Sequence, residues 1–232
     1  MVGTARRIAT ALPAVLLVGL GFWQGLRGET WAPGAVAAAV VAGVLFLFFW
    51  TFEVGRTGSR EVAVIAALAA VAAVLRLPFA GIPGLQPTTM LVAVSGLAFG
   101  WRAGCAVGAT AALVSNFFLG QGPWTPWQML AWGLVGATAG ALGKATRAGP
   151  GRFWMAGFLF GWGYLYGAVM NLWFWLTFIS PLTWGSFAAV EAASFWFDTL
   201  HAAGNVLFYL LAGPDLVRVL RRFRNRMTFG VE

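Results

Sequence analysis

Basic residues in this chain fall almost entirely in every second gap between apolar runs, and that alternation constrains the fold more than any other feature. Eight apolar runs can be read, at approximately 8–26, 33–52, 61–78, 87–100, 103–119, 127–143, 153–179 and 187–212. With the N-terminus placed inside, the inner gaps hold Arg6 and Arg7, Arg56 and Arg60, Arg102, then Lys144, Arg147 and Arg152, and finally Arg218, Arg221, Arg222, Arg224 and Arg226. Of the 15 Lys and Arg, only Arg27 and Arg76 fall outside. Cytoplasmic loops of multi-pass membrane proteins carry such an excess. Losing one run would scramble the alternation, so the charges also check the span count. The expectation is an all-α integral protein of the bacterial plasma membrane with about eight transmembrane helices and both termini cytoplasmic.

Composition points the same way. The chain is 60% hydrophobic and 9% charged, with mean hydropathy +0.80, whereas a soluble domain carries about 25% charged residues. The net charge of +8 is dispersed between apolar runs, so it reads as topological and not as a nucleic-acid-binding face. One Cys, Cys105, and one His, His201, exclude an internal disulfide and a Cys/His metal cluster. No phosphate-cradling Gly-rich loop with Lys and no Ser/His/Asp arrangement occurs. The chain is therefore expected not to be an enzyme, to hold no covalent cofactor or metal, and to leave any ATP hydrolysis to partner subunits.

A perpendicular span needs roughly 20 residues. The three central runs, from 87 to 143, are shorter and the last two longer, which fits tilted or partial helices around a cavity. Lipid tolerates no bare backbone, so the Pro-broken polar connections GIPGLQPTT (81–89) and GQGPWTP (120–126) belong at a water-facing end or a cavity wall. The linker GRTGSRE (55–61), with Ser59 as an N-cap, divides an accessory two-helix hairpin (1–54) from a six-helix substrate-binding core with a basic tail (55–232). Residues 8–26 read as a span and not as a cleaved signal.

Small residues recur at helical spacing: Ala63, Ala66, Ala67, Ala70 and Ala73; Gly104, Gly108 and Ala112; Gly133, Gly136, Ala137 and Gly140; Gly157, Gly161, Gly163 and Gly167. Such faces permit close helix approach in lipid. Packing within one bundle accounts for most of them. The Ala stripe differs because it offers no large side chains to fill a core, and Ala63, Ala66, Ala67 and Ala70 are candidates for docking a partner.

Ionisable groups inside a membrane usually face a cavity or each other. Glu191, Asp198, His201 and Asn205 share one face of the last span. Two readings compete: Asp198 and His201 form a structural tie to Asn171 or Asn116, or Glu191 and Asp198 reach a polar ligand from the outer side. Trp124, Trp127 and Trp184 flank the external loops near Gln86, Thr88, Thr89, Asn116, Gln121 and Gln128. Aromatic walls with a few amide and hydroxyl groups suit a heterocyclic or amphipathic ligand. Gln86, Asn116, Gln121, Trp124, Trp127 and Gln128 are expected to converge on it.

The stretch 59–144 resembles the substrate-binding S-components of energy-coupling factor (ECF) vitamin transporters. The residues that carry the likeness are SREVAVIAALAA, PGLQPTTMLVAVSGLAFGWRAG and ALVSNFFLGQGPWTPWQMLAWGLVGATAG. The likeness extends weakly through 152–212 and does not reach 1–54. It implies a six-helix subunit that binds a vitamin at its outer face and works with a coupling T-component and two ATPase subunits. It also implies docking through an Ala-x-x-x-Ala pattern, which Ala63/Ala67 and Ala66/Ala70 fit, and a ligand-covering loop at 79–88. QPTT and GQGPWTPWQM look most like the S-components associated with cobalamin; riboflavin, a pyrimidine or a queuosine precursor are the alternatives. A lone proton-coupled transporter using Asp198 and His201, or a lipid-acting enzyme, are the competing classes.

Overall fold

The computed structural model describes residues 33–54, 58–146 and 150–228. The run at 8–26 lies outside the described residues. The remaining seven runs form helices: α1 Pro33–Val54, α2 Ser59–Arg76, α3 Thr88–Phe99, α4 Trp101–Leu119, α5 Thr125–Ala145, α6 Arg152–Phe178 and α7 Trp184–Thr228, with a 3-10 turn at Leu77–Phe79. Among the described residues no strand occurs. Among the described residues four segments are long and apolar enough to cross a membrane: Ser59–Phe79, Trp101–Leu119, Arg152–Phe178 and Trp184–Arg226. The chain is an all-α membrane protein.

Glycine contact decides which helices form the centre. A Cβ on Gly96, Gly104, Gly108, Gly136 or Gly140 would strike backbone of an adjoining helix, chiefly between Gly104 and Gly136 and between Gly108 and Trp132. Three helices, α3, α4 and α5, thus meet backbone to backbone, where dispersion and weak hydrogen bonds hold helices in lipid. The stripe on α6 divides. Gly163 and Gly167 press on Ala202 and Asp198 of α7, whereas Gly157 and Gly161 face open space. The sharp α3–α4 corner uses Gly100 at φ +96°, a conformation that only glycine takes freely.

At 12 residues, α3 spans about 18 Å and cannot cross a bilayer core of about 30 Å. It is sheathed by its neighbours, with every residue from Thr88 to Ala98 buried except Leu91. The outermost helix of the core is α2: Val62, Val71, Val74 and Leu75 are exposed, as are Ala63, Ala66, Ala67 and Ala70, while Ile65, Ala69, Ala72 and Ala73 pack inward. Ala73 thus leaves the exposed stripe. Ser59 is the first residue of the helix and Gly58, in extended conformation, is its N-cap. The expected cap is displaced by one residue.

Helix α1 is not detached from the core. Its Val41 and Leu45 bury against Ala109 and Trp127.

The final run reaches well past its expected end at 212. Pro214 lies inside α7 and cannot donate to the carbonyl of residue 210. Arg152 does so instead, from Nη2 to Leu210 O at 2.7 Å. Beyond the proline, Leu216, Val217 and Leu220 pack on the core, and Arg224 Nη1 donates to Ala98 O at 2.7 Å, one of the carbonyls left open at the end of α3. Arg102, Lys144 and Arg152 share one end of the bundle.

Candidate functional site

At the opposite end, the last residue of α2 organises the loops. Arg76 Nε donates to Gln86 Oε1 at 2.9 Å, and Nη1 donates to Ser115 Oγ at 2.8 Å and to Asn116 Oδ1 at 2.7 Å. The guanidinium also lies 4.9 Å from the Trp132 ring centroid, within cation–π range. Four elements are thereby tied together: α2, the 80–87 loop, α4 and α5. Asn116 is fully engaged. Its Nδ2 donates to Thr125 Oγ1 at 2.9 Å and to Gln128 Oε1 at 2.8 Å, and Thr125 Oγ1 donates to Gln121 Oε1 at 2.9 Å. Buried amides without partners are costly, so this closed set of bonds fixes the GQGPWTP turn onto the end of α4.

A cavity of about 360 Å³ opens beside Arg76, lined by that residue and by Phe79, Ile82, Leu85, Gln86, Leu119 and Phe197 among others. Its cover is the chain from 77 to 87. Gly84, at φ +73°, sits so close to Phe197 and His201 that a side chain there would meet α7 backbone, and Leu85 reaches Gly204. The loop is therefore clamped on one side by Arg76–Gln86 and on the other by α7.

Deeper in the bundle lies a second polar group. Trp132 Nε1 donates to Thr89 Oγ1 at 3.0 Å, and Thr89 Oγ1 is 2.8 Å from His201 Nε2. Tyr166 stands edge-on to His201 and tilts over Trp132, each at 4.9 Å. Among the described residues Tyr166 Oη and His201 Nδ1 meet no hydrogen-bond partner in good geometry, although Gln128 lies near the phenol. Thr88 donates to Ala72 O at 3.3 Å.

A third group sits between α6 and α7. Asn171 Nδ2 donates to Ser194 Oγ, at 2.7 Å, and Ser194 donates to Asp198 Oδ2, at 2.6 Å. The Asp198 carboxylate rests against Gly167. Ser194 also lies 3.2 Å from the Glu191 carbonyl, and Glu191 Oε1 has no partner among the described residues. The tie from Asp198 to Asn171 thus runs through Ser194, and His201 bonds Thr89 and not Asp198.

The polar residues expected at the site accordingly divide into three sets. Gln86, Asn116, Gln121 and Gln128 come together around Arg76. Thr88 and Thr89 are buried inside the core, and Asn171, Glu191 and Asp198 form the α6–α7 group. The tryptophans stand apart from the cavity wall. Trp127 is buried against α1, Trp124 meets Trp173 edge-on at 6.0 Å, and Trp184 is 86% exposed. Sequence reasoning missed Arg76 as a site residue. Its signal was present: it is a cation at the end of a span where the charge bias allows almost none, and such exceptions mark function in membrane proteins.

Among the described residues no group of three or more His, Cys, Asp or Glu is arranged to hold a metal ion. Comparison with known proteins adds a family. The family described as "ECF transporter, substrate-specific component" matches residues 60–213, the span that runs from the start of α2 to the turn before Pro214. No curated protein and no solved structure matches the chain. That match covers the core helices up to residue 213 of α7, the Arg76 cluster and both loops above it, and it is a family of transporter binding subunits and not of enzymes. The chain belongs to the substrate-specific components of ECF transporters.

Proposed function

We propose that this subunit captures a small vitamin or base at the outer face of a bacterial plasma membrane and hands it to a coupling T-component and two ATPases, which alone use ATP. The single observation that carries the ligand site is Arg76, held by Gln86, Ser115 and Asn116 beside a cavity of about 360 Å³. That volume lies at the small end of ligand sites. It favours a compact heterocycle such as riboflavin, a pyrimidine or a queuosine precursor. Cobalamin, favoured by the QPTT and GQGPWTPWQM segments, needs the 77–87 cover to lift away first. The exposed Ala63, Ala66, Ala67 and Ala70 supply a flat face of α2 for the coupling partner.

The experiment is mass spectrometry of the molecule that co-purifies from the native host. It is followed by calorimetric titration of that molecule and by uptake into vesicles with and without the partner subunits. Uptake that needs partners and ATP supports the proposal; uptake by the lone chain that collapses with the proton gradient sinks it in favour of a secondary transporter.

A further inference from the structure

Among the described residues no acid pairs with Arg76. Its three hydrogen-bond acceptors, Gln86, Ser115 and Asn116, are neutral. The ion pair found among the described residues is Arg218–Asp215 at the far end of α7. The nearest acids on the cavity side of α7 are otherwise occupied: the Asp198 carboxylate rests on Gly167 and accepts from Ser194, and neither it nor Glu191 lines the cavity. Bonds from Nε and Nη1 account for three of the five guanidinium protons, and none is made by Nη2 among the described residues. Arg76 itself forms part of the cavity wall, which also holds Gln86 and the apolar side chains of Phe79, Ile82, Leu85, Leu119 and Phe197 among others.

With Nε and Nη1 taken by neutral acceptors, the two Nη2 protons are left to make a charge-assisted bond. An oxyanion matches them in charge. A cation drawn out of water without a counterion is costly, and the arriving anion removes that cost. Gln86 and Asn116 hold the guanidinium in place before the ligand arrives, so little ordering remains to be done on binding. Resting on the binding-subunit reading above, we infer that the captured molecule carries an oxyanion, carboxylate or phosphate, on an apolar body, and that Arg76 pairs with it. The apolar body lies against Phe79 and Phe197.

The test uses matched acid and neutral probes on the full chain purified in detergent, read by calorimetry and thermal shift. The pairs are nicotinate with nicotinamide, pantothenate with panthenol, biotin with biotin amide, and riboflavin 5′-phosphate with riboflavin. Wild type is expected to bind the acid of at least one pair about tenfold or more tightly than its neutral partner, the scale of one charge-assisted contact. Preference confined to the phosphate pair identifies phosphate as the source, and preference in the others identifies carboxylate. Arg76→Gln should abolish the preference and Arg76→Lys should retain part of it. The wild-type comparison stands even where Arg76→Gln does not fold. Equal affinity for both members of every bound pair, or a preference that survives Arg76→Gln, overturns the anionic ligand while leaving the binding subunit intact, because binding is then observed. No binding of any probe, together with no retained molecule from the native host, overturns both.

Discussion

The Thr89 hydroxyl oxygen lies 2.8 Å from Nε2 of His201, joining residues 112 positions apart. Because the same oxygen accepts from Trp132, one small side chain links α3, α5 and α7 below the cavity. Thr89→Val keeps the shape and leaves two buried polar groups unpaired, at about 1–3 kcal/mol each. Its melting temperature in detergent should fall by several degrees, and Thr89→Ser should stay near wild type. A Val variant as stable as wild type would mean that the triangle contributes nothing.

The glycine seam makes a sharper contrast. Gly136→Val drives methyl groups into the backbone at Gly104 and should prevent isolation of a folded monodisperse protein. Gly157→Ala, on the same type of stripe but facing open space, should be neutral or slightly stabilising, since alanine favours helix by up to about 1 kcal/mol. Size-exclusion profiles of the two variants decide it.

Asn116 and Trp127 should separate in their effects, although both lie near the ligand loops. Asn116→Leu breaks the bond that fixes Arg76 and should weaken ligand binding by one to two decades, as about 1–3 kcal/mol implies. Trp127→Ala removes a core side chain that packs on α1. It should cost stability, about 3–5 kcal/mol, with affinity of the surviving folded fraction little changed. Titration paired with thermal melts reads both; loss of affinity in Trp127→Ala alone would place the ligand against α1.

On α2, Ala67→Trp or Ala70→Trp adds bulk to a face that is exposed among the described residues. Vesicle uptake with partner subunits should drop by at least about tenfold while ligand affinity of the isolated subunit is kept. Parallel loss of both would make the stripe internal packing.

Helices at seven of the eight expected runs, the buried glycine faces and the polar loops were legible in the sequence, because lipid forces the first and steric limits force the second. Gln86, Asn116, Gln121 and Gln128 were legible as a cluster for the same reason: amides at span ends need partners. Arg76 was overlooked although its place against the charge bias marked it, since a charge-bias count treats each cation as a marker of sides and is blind to what it touches. Trp127 lies off the wall of the Arg76 cavity and packs with α1, expected as part of an accessory hairpin; aromatic residues near a loop read alike whether they wall a cavity or fill a core. The length of α7 was hidden by Pro214, which reads as a helix stop unless another donor serves the freed carbonyl.

That donor has an experimental consequence. Arg152 enters any topology argument as one more inner charge, yet it also completes the backbone of a different helix through Leu210. Charge-relocation experiments, the usual way to probe membrane orientation, therefore perturb two things at once at this position. Arg152→Leu would be read as weakening the inward bias, when part of its effect is a hinge opened at Pro214 and a loosened segment from 215 onward. Orientation is better tested at Arg218, whose exposed pairing with Asp215 holds no other helix in place.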